Sequence, residues 1–393
     1  MPPKASDYFL SDADNAAIFE QQIRPAEFGP QTENAADAAN AADADSARPC
    51  TRPVCIILAG QTGAGKSHAA PALVAALKAV AATAASPSSS PLCHLVADTH
   101  KPYHPAYAGL VADAAAGRSP PGLASAATGR DARRWLARAC EVAAAQQRPT
   151  LVESASRYPQ DVVEMAATFR ARGFRVCLVL LGVHPAQSRL GLLARYLDAA
   201  ASAGGGDRQQ VNAGDTSKRR RPAMPVRLTP RAIHDESYAG LATLADMLDR
   251  QGGSSPSENH ENHPVFADAV LVLRRGNQVA YASDWQQATG TWTTGTWTQA
   301  AGVGRALASE RSRRRRKTHE THGQDSSPLA READLFASDV ARLRLAHPER
   351  ADELDELAAE YGATTEKDGG DGETAYYPLA PEALVAHLQS SEW

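Results

Sequence analysis

The segment Gly60-Gln61-Thr62-Gly63-Ala64-Gly65-Lys66-Ser67 follows the spacing G-x-x-x-x-G-K-[ST], a pattern whose chemistry is phosphate binding. Gly60, Gly63 and Gly65 let the backbone turn tightly, so that N–H groups approach phosphate oxygens where side chains would collide. The N-terminus of the helix that follows adds positive potential. Lys66 is placed to reach the β- and γ-phosphates of a nucleotide, and the Ser67 hydroxyl to ligate Mg²⁺. Nucleotide binding follows from this loop, while the reaction stays open.

A phosphate loop becomes a phosphoryl-transfer site when the same sheet edge supplies a base, substrate contacts and further cations. Asp98 directly follows the apolar run Cys93–Ala97. At the carboxyl end of a strand it would face the ligand crevice and could accept a substrate hydroxyl proton, or it could cap a helix. Glu153 ends the run Thr150–Val152 in the same way, and Arg157 follows four residues later. That carboxylate could orient a Mg²⁺-bound water or the substrate and the arginine could hold a phosphate, with a plain surface turn as the alternative. Arg195 lies in the helical stretch Ser188–Asp198 and Arg227 just before Thr229-Pro230. They bracket a long loop, as lid residues that close on a triphosphate would; each taken alone also suits an ordinary surface position.

The elements that must position these residues are legible from periodicity. Short apolar runs at Val54–Leu58, Cys93–Ala97, Thr150–Val152, Arg175–Leu181 and Ala269–Leu273 alternate with longer helical stretches, one of them Ser67–Ala82 directly behind the glycine loop. That alternation is the signature of a parallel sheet wrapped by helices. Gln278–Tyr281 follows Arg275-Gly276-Asn277 and reads as a hairpin partner of the fifth strand. The expected fold is α/β, a P-loop kinase-type parallel sheet flanked by helices, with flexible N-terminal and C-terminal appendages. Four regions are expected: residues 1–52, an amphipathic piece at Asp12–Phe28 and an Ala/Asp-rich linker; residues 53–283, the P-loop domain; residues 284–327, a low-complexity basic linker; and residues 328–393, a small helical appendage with Leu335, Val340, Leu343, Leu345, Leu354 and Leu357. The Ser/Pro-rich Ser86–Pro91 and the Gly-rich then basic Ser202–Pro225 read as mobile loops. The basic run Arg311–Lys317 reads as a solvated arm, with contact to a nucleic acid or an acidic partner as the alternative.

In 393 residues, 41 Lys and Arg stand against 45 Asp and Glu, so the net charge of −4 gives no reason to expect a nucleic-acid partner. Five scattered cysteines without metal-ligand spacing fit buried thiols in a reducing compartment. No apolar run approaches the ~18 residues of a membrane span and no signal-peptide pattern opens the chain, so a cytoplasmic protein without a membrane partner is expected.

The order of these pieces is similar to that of the zeta toxin family. The resemblance runs over about residues 54–281. It joins the loop Gly60–Ser67 to Asp98-x₅-His104-Pro105-x-Tyr107, Asp131-x-x-x-Trp135, Leu151-Val152-Glu153, Ser188-x-x-Gly191-x-x-x-Arg195-Tyr196 and Arg227-x-Thr229-Pro230-x-x-x-His234-Asp235. It implies a P-loop kinase that transfers the ATP γ-phosphoryl group to a sugar hydroxyl of UDP-N-acetylglucosamine, with ATP and Mg²⁺ as cofactors and an antitoxin protein as partner. By motif, Lys66 and Ser67 would bind ATP and Mg²⁺ within the loop Gly60, Gln61, Thr62, Gly63, Ala64, Gly65. Asp98 would be the base, Glu153 and Arg157 would contact the nucleotide-sugar, and Arg195 and Arg227 would clamp phosphates. Where the family carries Glu-Gly-Thr-x-Arg this chain has Glu153-Ser154-Ala155-Ser156-Arg157, so Ser156 offers a substitute hydroxyl one position away. A kinase for another small molecule and a nucleotide-binding interaction module remain as alternatives.

Overall fold

The computed structural model describes residues 3–29, 52–83, 91–120, 122–204, 228–251, 264–286, 291–292, 302–312, 328–362 and 377–378. Their centre is a sheet whose first strand, β1 (Val54–Ala59), is buried along its whole length. The order is β2 (Cys93–Val96), β3 (Thr150–Ser154), β1, β4 (Arg175–Leu181), β5 (Ala269–Arg274), β6 (Gln278–Gln286). The first five strands pair in parallel and β6 returns antiparallel to β5. Two-residue strands, β7 (Thr291–Trp292) and β8 (Tyr377–Pro378), pair with β6. The fold is therefore the expected α/β arrangement.

Strands buried on both sides must be apolar at consecutive positions. Along β1, Val54, Ile56 and Leu58 face one half of the core, and Cys55, Ile57 and Ala59 the other. The first half is covered by α3 (Lys66–Thr83). The second is covered by α5 (Leu123–Ala145), α6 (Pro159–Ala171) and α8 (Arg231–Arg250). In chain order α4 (Tyr107–Ala115) precedes α5, and α7 (Pro185–Gly204), which extends the expected helix Ser188–Asp198 at both ends, precedes α8. The cysteines Cys55, Cys93, Cys140 and Cys177 are buried and free. Burial pushes the Cys93 thiol up to about 11 and that of Cys177 to about 12, which leaves them inert as nucleophiles.

The N-terminal piece docks onto this core. It runs as α1 (Asp12–Ile18), a π turn (Phe19–Ile23) and α2 (Arg24–Phe28), with Phe19 and Ile23 buried among the sheet-facing side chains. The Asp131-x-x-x-Trp135 motif on α5 is what holds it. Asp131 accepts from Leu10 N at 3.2 Å and Asn15 Nδ2 at 3.0 Å, and Trp135 Nε1 donates to Asn15 O at 2.8 Å. His104 joins this contact through Nε2 to Tyr8 O at 3.1 Å.

The expected basic linker over 284–327 is corrected in part. Within it α9 (Val303–Ser312) is a helix that buries Val303, Ala306, Leu307, Glu310 and Arg311, the i, i+3, i+4, i+7, i+8 stripe of an amphipathic surface helix. Arg311 is thus buried, not part of a solvated arm. In the C-terminal region α10 (Pro328–Ala346) and α11 (Ala351–Gly362) pack on α7 through Phe336, Val340, Leu343, Leu354 and Leu357. Leu335 and Leu345 lie off this face, at 61% and 88% exposed. The Ala/Asp-rich stretch after Pro30, the loop Ser86–Pro91 apart from Pro91, most of Ser202–Pro225, Arg227 and Arg313–Lys317 fall outside the described residues. Among the described residues no helix is long and apolar enough to cross a membrane.

Candidate active site

The glycine loop joins β1 to α3 at the carboxyl edge of the sheet, where the chain crosses from one side of β1 to the other and open α/β sheets bind ligands. Gly63 and Gly65 hold left-handed backbone, with φ of 81° and 95°. Ala64 N donates to Gln61 O at 3.1 Å and closes the turn. The Lys66 ammonium donates to the carbonyl oxygens of Gly60 at 2.7 Å and Gln61 at 3.3 Å, which holds it over the loop. Burial pulls this lysine down from 10.5 to about 8, Glu153 and Asp98 pull it back up, and Arg195 pushes it further down. One cation therefore lies in the field of three residues drawn from the turn after β2, from β3 and from α7. Ser67 stands exposed in the first turn of α3. A left-handed backbone cradle, a desolvated ammonium and an accessible hydroxyl at a helix start suit a nucleoside triphosphate with Mg²⁺.

Not every member of the loop is turned toward a ligand. The Gln61 side chain is buried, donating to Val183 O at 2.8 Å and accepting from Arg311 Nη2 at 3.3 Å. Thr62 N donates to Ser237 Oγ at 3.3 Å. Behind the loop Ser188 Oγ pairs with His234 Nε2 at 2.7 Å, and His234 Nδ1 with Asp235 Oδ1 at 2.9 Å. This has the look of a nucleophile relay, but Ser188 is fully buried and also donates to Pro185 O at 3.0 Å. The group braces α7 and α8 against the loop. Arg311 closes the same brace by donating to Tyr238 O at 2.9 Å and lying 3.8 Å over the Tyr238 ring.

Asp98 lies on a 3₁₀ turn (Ala97–Tyr103) directly after β2 and is exposed. Its Oδ1 is 2.5 Å from Lys101 Nζ, and Lys101, itself buried, also donates to Ser125 Oγ at 2.7 Å. The ion pair orients the carboxylate at the strand end. Glu153 sits in register with Val96 of β2 and Leu58 of β1, next to the loop, and pairs with His94 Nε2 at 2.8 Å. Asp98, Glu153 and Arg195 thus all act electrostatically on Lys66, although the four residues are spread over positions 66–195 of the chain.

Two expected substrate contacts are arranged differently. Arg157 pairs with Glu236 on α8 and so joins α8 to the end of β3. Ser156 is buried with a left-handed φ of 56°, and its carbonyl packs against Gly240, where a Cβ would lie 2.0 Å away. Its hydroxyl is therefore not offered at the surface as a stand-in for the family threonine, and its place is to turn the chain beneath α8. Sequence reasoning placed Gln61 in the phosphate loop without its buried bracing role, read Arg311 as part of a solvated arm, and did not single out His94. Arg311 alone had a readable sign, the amphipathic spacing of Val303–Arg311.

The profile of the family described as Zeta toxin matches residues 38–286. No curated protein matches the chain. Among solved structures it is similar to one from the PezAT chromosomal toxin-antitoxin system of the human pathogen Streptococcus pneumoniae, at 13% identity and a TM-score of 0.49, covering 86% of this chain and 98% of that one. With more than half its length matched by the family profile, the chain belongs to the zeta toxin family.

Proposed function

We propose that the chain is an ATP-dependent kinase whose acceptor is a sugar hydroxyl of UDP-N-acetylglucosamine. The observation that carries this reading is the placement around the glycine loop: Lys66 is held on the loop carbonyls, Glu153 stands in register with Leu58 at the loop's edge, Asp98 follows the next strand, and the helix that carries Arg195 packs on Gly63. Lys66 and the loop amides hold the triphosphate, and the exposed Arg195 adds a cation for charge that develops on the transferring group. Ser67 would hold Mg²⁺, which supplies charge neutralisation at the β- and γ-phosphates when bound. Asp98 takes the proton from the acceptor hydroxyl, Lys101 holding it in place, and Glu153 with His94 orients the acceptor. Arg227 completes the phosphate clamp in this reading. Family membership also supports an antitoxin protein as partner, and both substrates are cytoplasmic metabolites, so we place the reaction there.

The test is incubation of the purified protein with ATP, Mg²⁺ and a panel of nucleotide-sugars, read by mass spectrometry. A single phosphate added to UDP-N-acetylglucosamine, absent with Lys66→Ala, is the expected result. Phosphate on another acceptor in the panel would replace the substrate and keep the kinase. No product on any of them would overturn the reading.

A further inference from the structure

The second half of the glycine loop borders a cavity of about 590 Å³, within the ~300–1,000 Å³ of small-molecule sites. Ala64, Gly65 and His68 form one wall, the hairpin turn at residues 274–278 a second, and α10 the third, through Leu335, Phe336 and Asp339. The turn is pinned in place, since Gly276 and Asn277 adopt left-handed backbone and Asn277 Nδ2 donates to His68 O at 3.1 Å. Two features of this cavity have no account in the packing. Leu335 is 61% exposed although Phe336, Val340 and Leu343 on the same helix are buried. Arg275 is half-buried and makes no ion pair among the described residues, whereas its neighbour Arg274 pairs with Glu310 and Glu332. The Arg275 guanidinium donates to Gln187 O at 3.4 Å and lies beside Gly191, which in turn packs on Gly63 O.

A triphosphate seated on the loop must project its nucleoside into whatever space adjoins that loop. We propose that this cavity takes the base and ribose, with Leu335 as the apolar wall against the base and Arg275 as the cation where the triphosphate meets the ribose. This rests on the reading of Gly60–Ser67 as a triphosphate site. Helix α10 begins at Pro328 and the family match ends at residue 286, so the wall that selects the base lies outside the segment by which the family is recognised.

The test compares ATP with inorganic tripolyphosphate as ligands of the full chain, by calorimetry. Wild type should bind ATP at least about tenfold more tightly, the scale of discrimination that an apolar pocket supplies. Leu335→Trp, which fills the cavity from an exposed position, should remove that preference and leave tripolyphosphate affinity unchanged, and Leu335→Ala should reduce it. Arg275→Gln should weaken both ligands. A photoreactive 2-azido-ATP should label a peptide within residues 328–346. Equal affinity of wild type for the two ligands, an unchanged ATP preference in both Leu335 variants, or labelling only outside that helix would overturn the proposal with the phosphate site intact. Loss of any tripolyphosphate binding by wild type would overturn the loop reading itself.

Discussion

Gly63 and Ser188 meet through their backbones: a Cβ at position 63 would lie 2.0 Å from the Ser188 carbonyl oxygen and 2.8 Å from Leu192 Cγ. The phosphate loop is therefore pressed against the first turns of α7, the helix that carries Arg195. Gly63→Ala combines left-handed strain with overpacking and should cost about 2–5 kcal/mol, by addition of ~1–2 for the backbone and ~1–3 for the forced shift. Gly65→Ala meets nothing nearer than 3.9 Å and pays the backbone strain alone. Denaturant unfolding of both variants checks this, and equal losses would show that the contact with α7 is soft.

Lys66 should trade stability for function. Its folded pKa of about 8 lies below the ordinary 10.5, so its charge costs stability below about pH 8, and that cost is relieved as pH rises from about 8 to 10.5. Lys66→Met should raise the melting temperature at pH 7 while lowering phosphoryl transfer by about 10²–10⁴, the effect of losing a preorganised charge. In wild type kcat/KM for ATP should fall above about pH 8, because the free enzyme then loses the ammonium, while kcat at saturating ATP holds to higher pH since bound phosphates favour the cation. A kcat/KM flat to pH 10 would contradict the assignment.

Asp98 and Lys101 form one unit and should separate by readout. Asp98→Asn keeps the shape and cannot take a proton, so ATP affinity should stay near wild type while transfer drops by about 10²–10⁴. Lys101→Met leaves the base present but unoriented, with a smaller loss confined to kcat. Titration calorimetry with ATP and single-turnover transfer decide it. An Asp98→Asn protein that loses ATP affinity and still turns over would make Asp98 a nucleotide ligand.

The parts of this protein that sequence reveals are those where local pattern and tertiary place agree. Short apolar runs such as Arg175–Leu181 are strands because burial on both sides demands unbroken hydrophobicity. The hairpin after Leu273 is announced by Gly276 and Asn277, which can take positive φ. What stayed hidden depends on partners far away in the chain. Phe19 and Ile23 are too sparse to mark a docked segment until Asp131 and Trp135 are seen to hold it. Ser156 reads as a free hydroxyl, because a left-handed φ at a non-glycine residue leaves no mark in composition. Helix α9 carried the right spacing but a weak signal, because only Val303 and Leu307 of its buried face are large and apolar, beside Ala306, Glu310 and Arg311.

Arg311 is where that hidden helix reaches the chemistry. Burial pulls its guanidinium down to about 10 from 12.5, so its charge is held at a cost, and its hydrogen bonds go to Tyr238 O and to the Gln61 side chain within the phosphate loop. Removing the guanidinium releases Gln61, so Arg311→Met should weaken ATP binding by about ten- to a hundredfold, the ~1.5–3 kcal/mol of one hydrogen bond from a charged group. Ser312→Ala should change nothing, since that hydroxyl bonds only within its own helix. If Arg311 acts through Gln61, then Arg311→Met and Gln61→Met combined should cost less than the sum of the two, with a coupling of about 1–2 kcal/mol in a double-mutant cycle read on ATP affinity. Additive losses would mean that α9 steadies the fold without speaking to the loop.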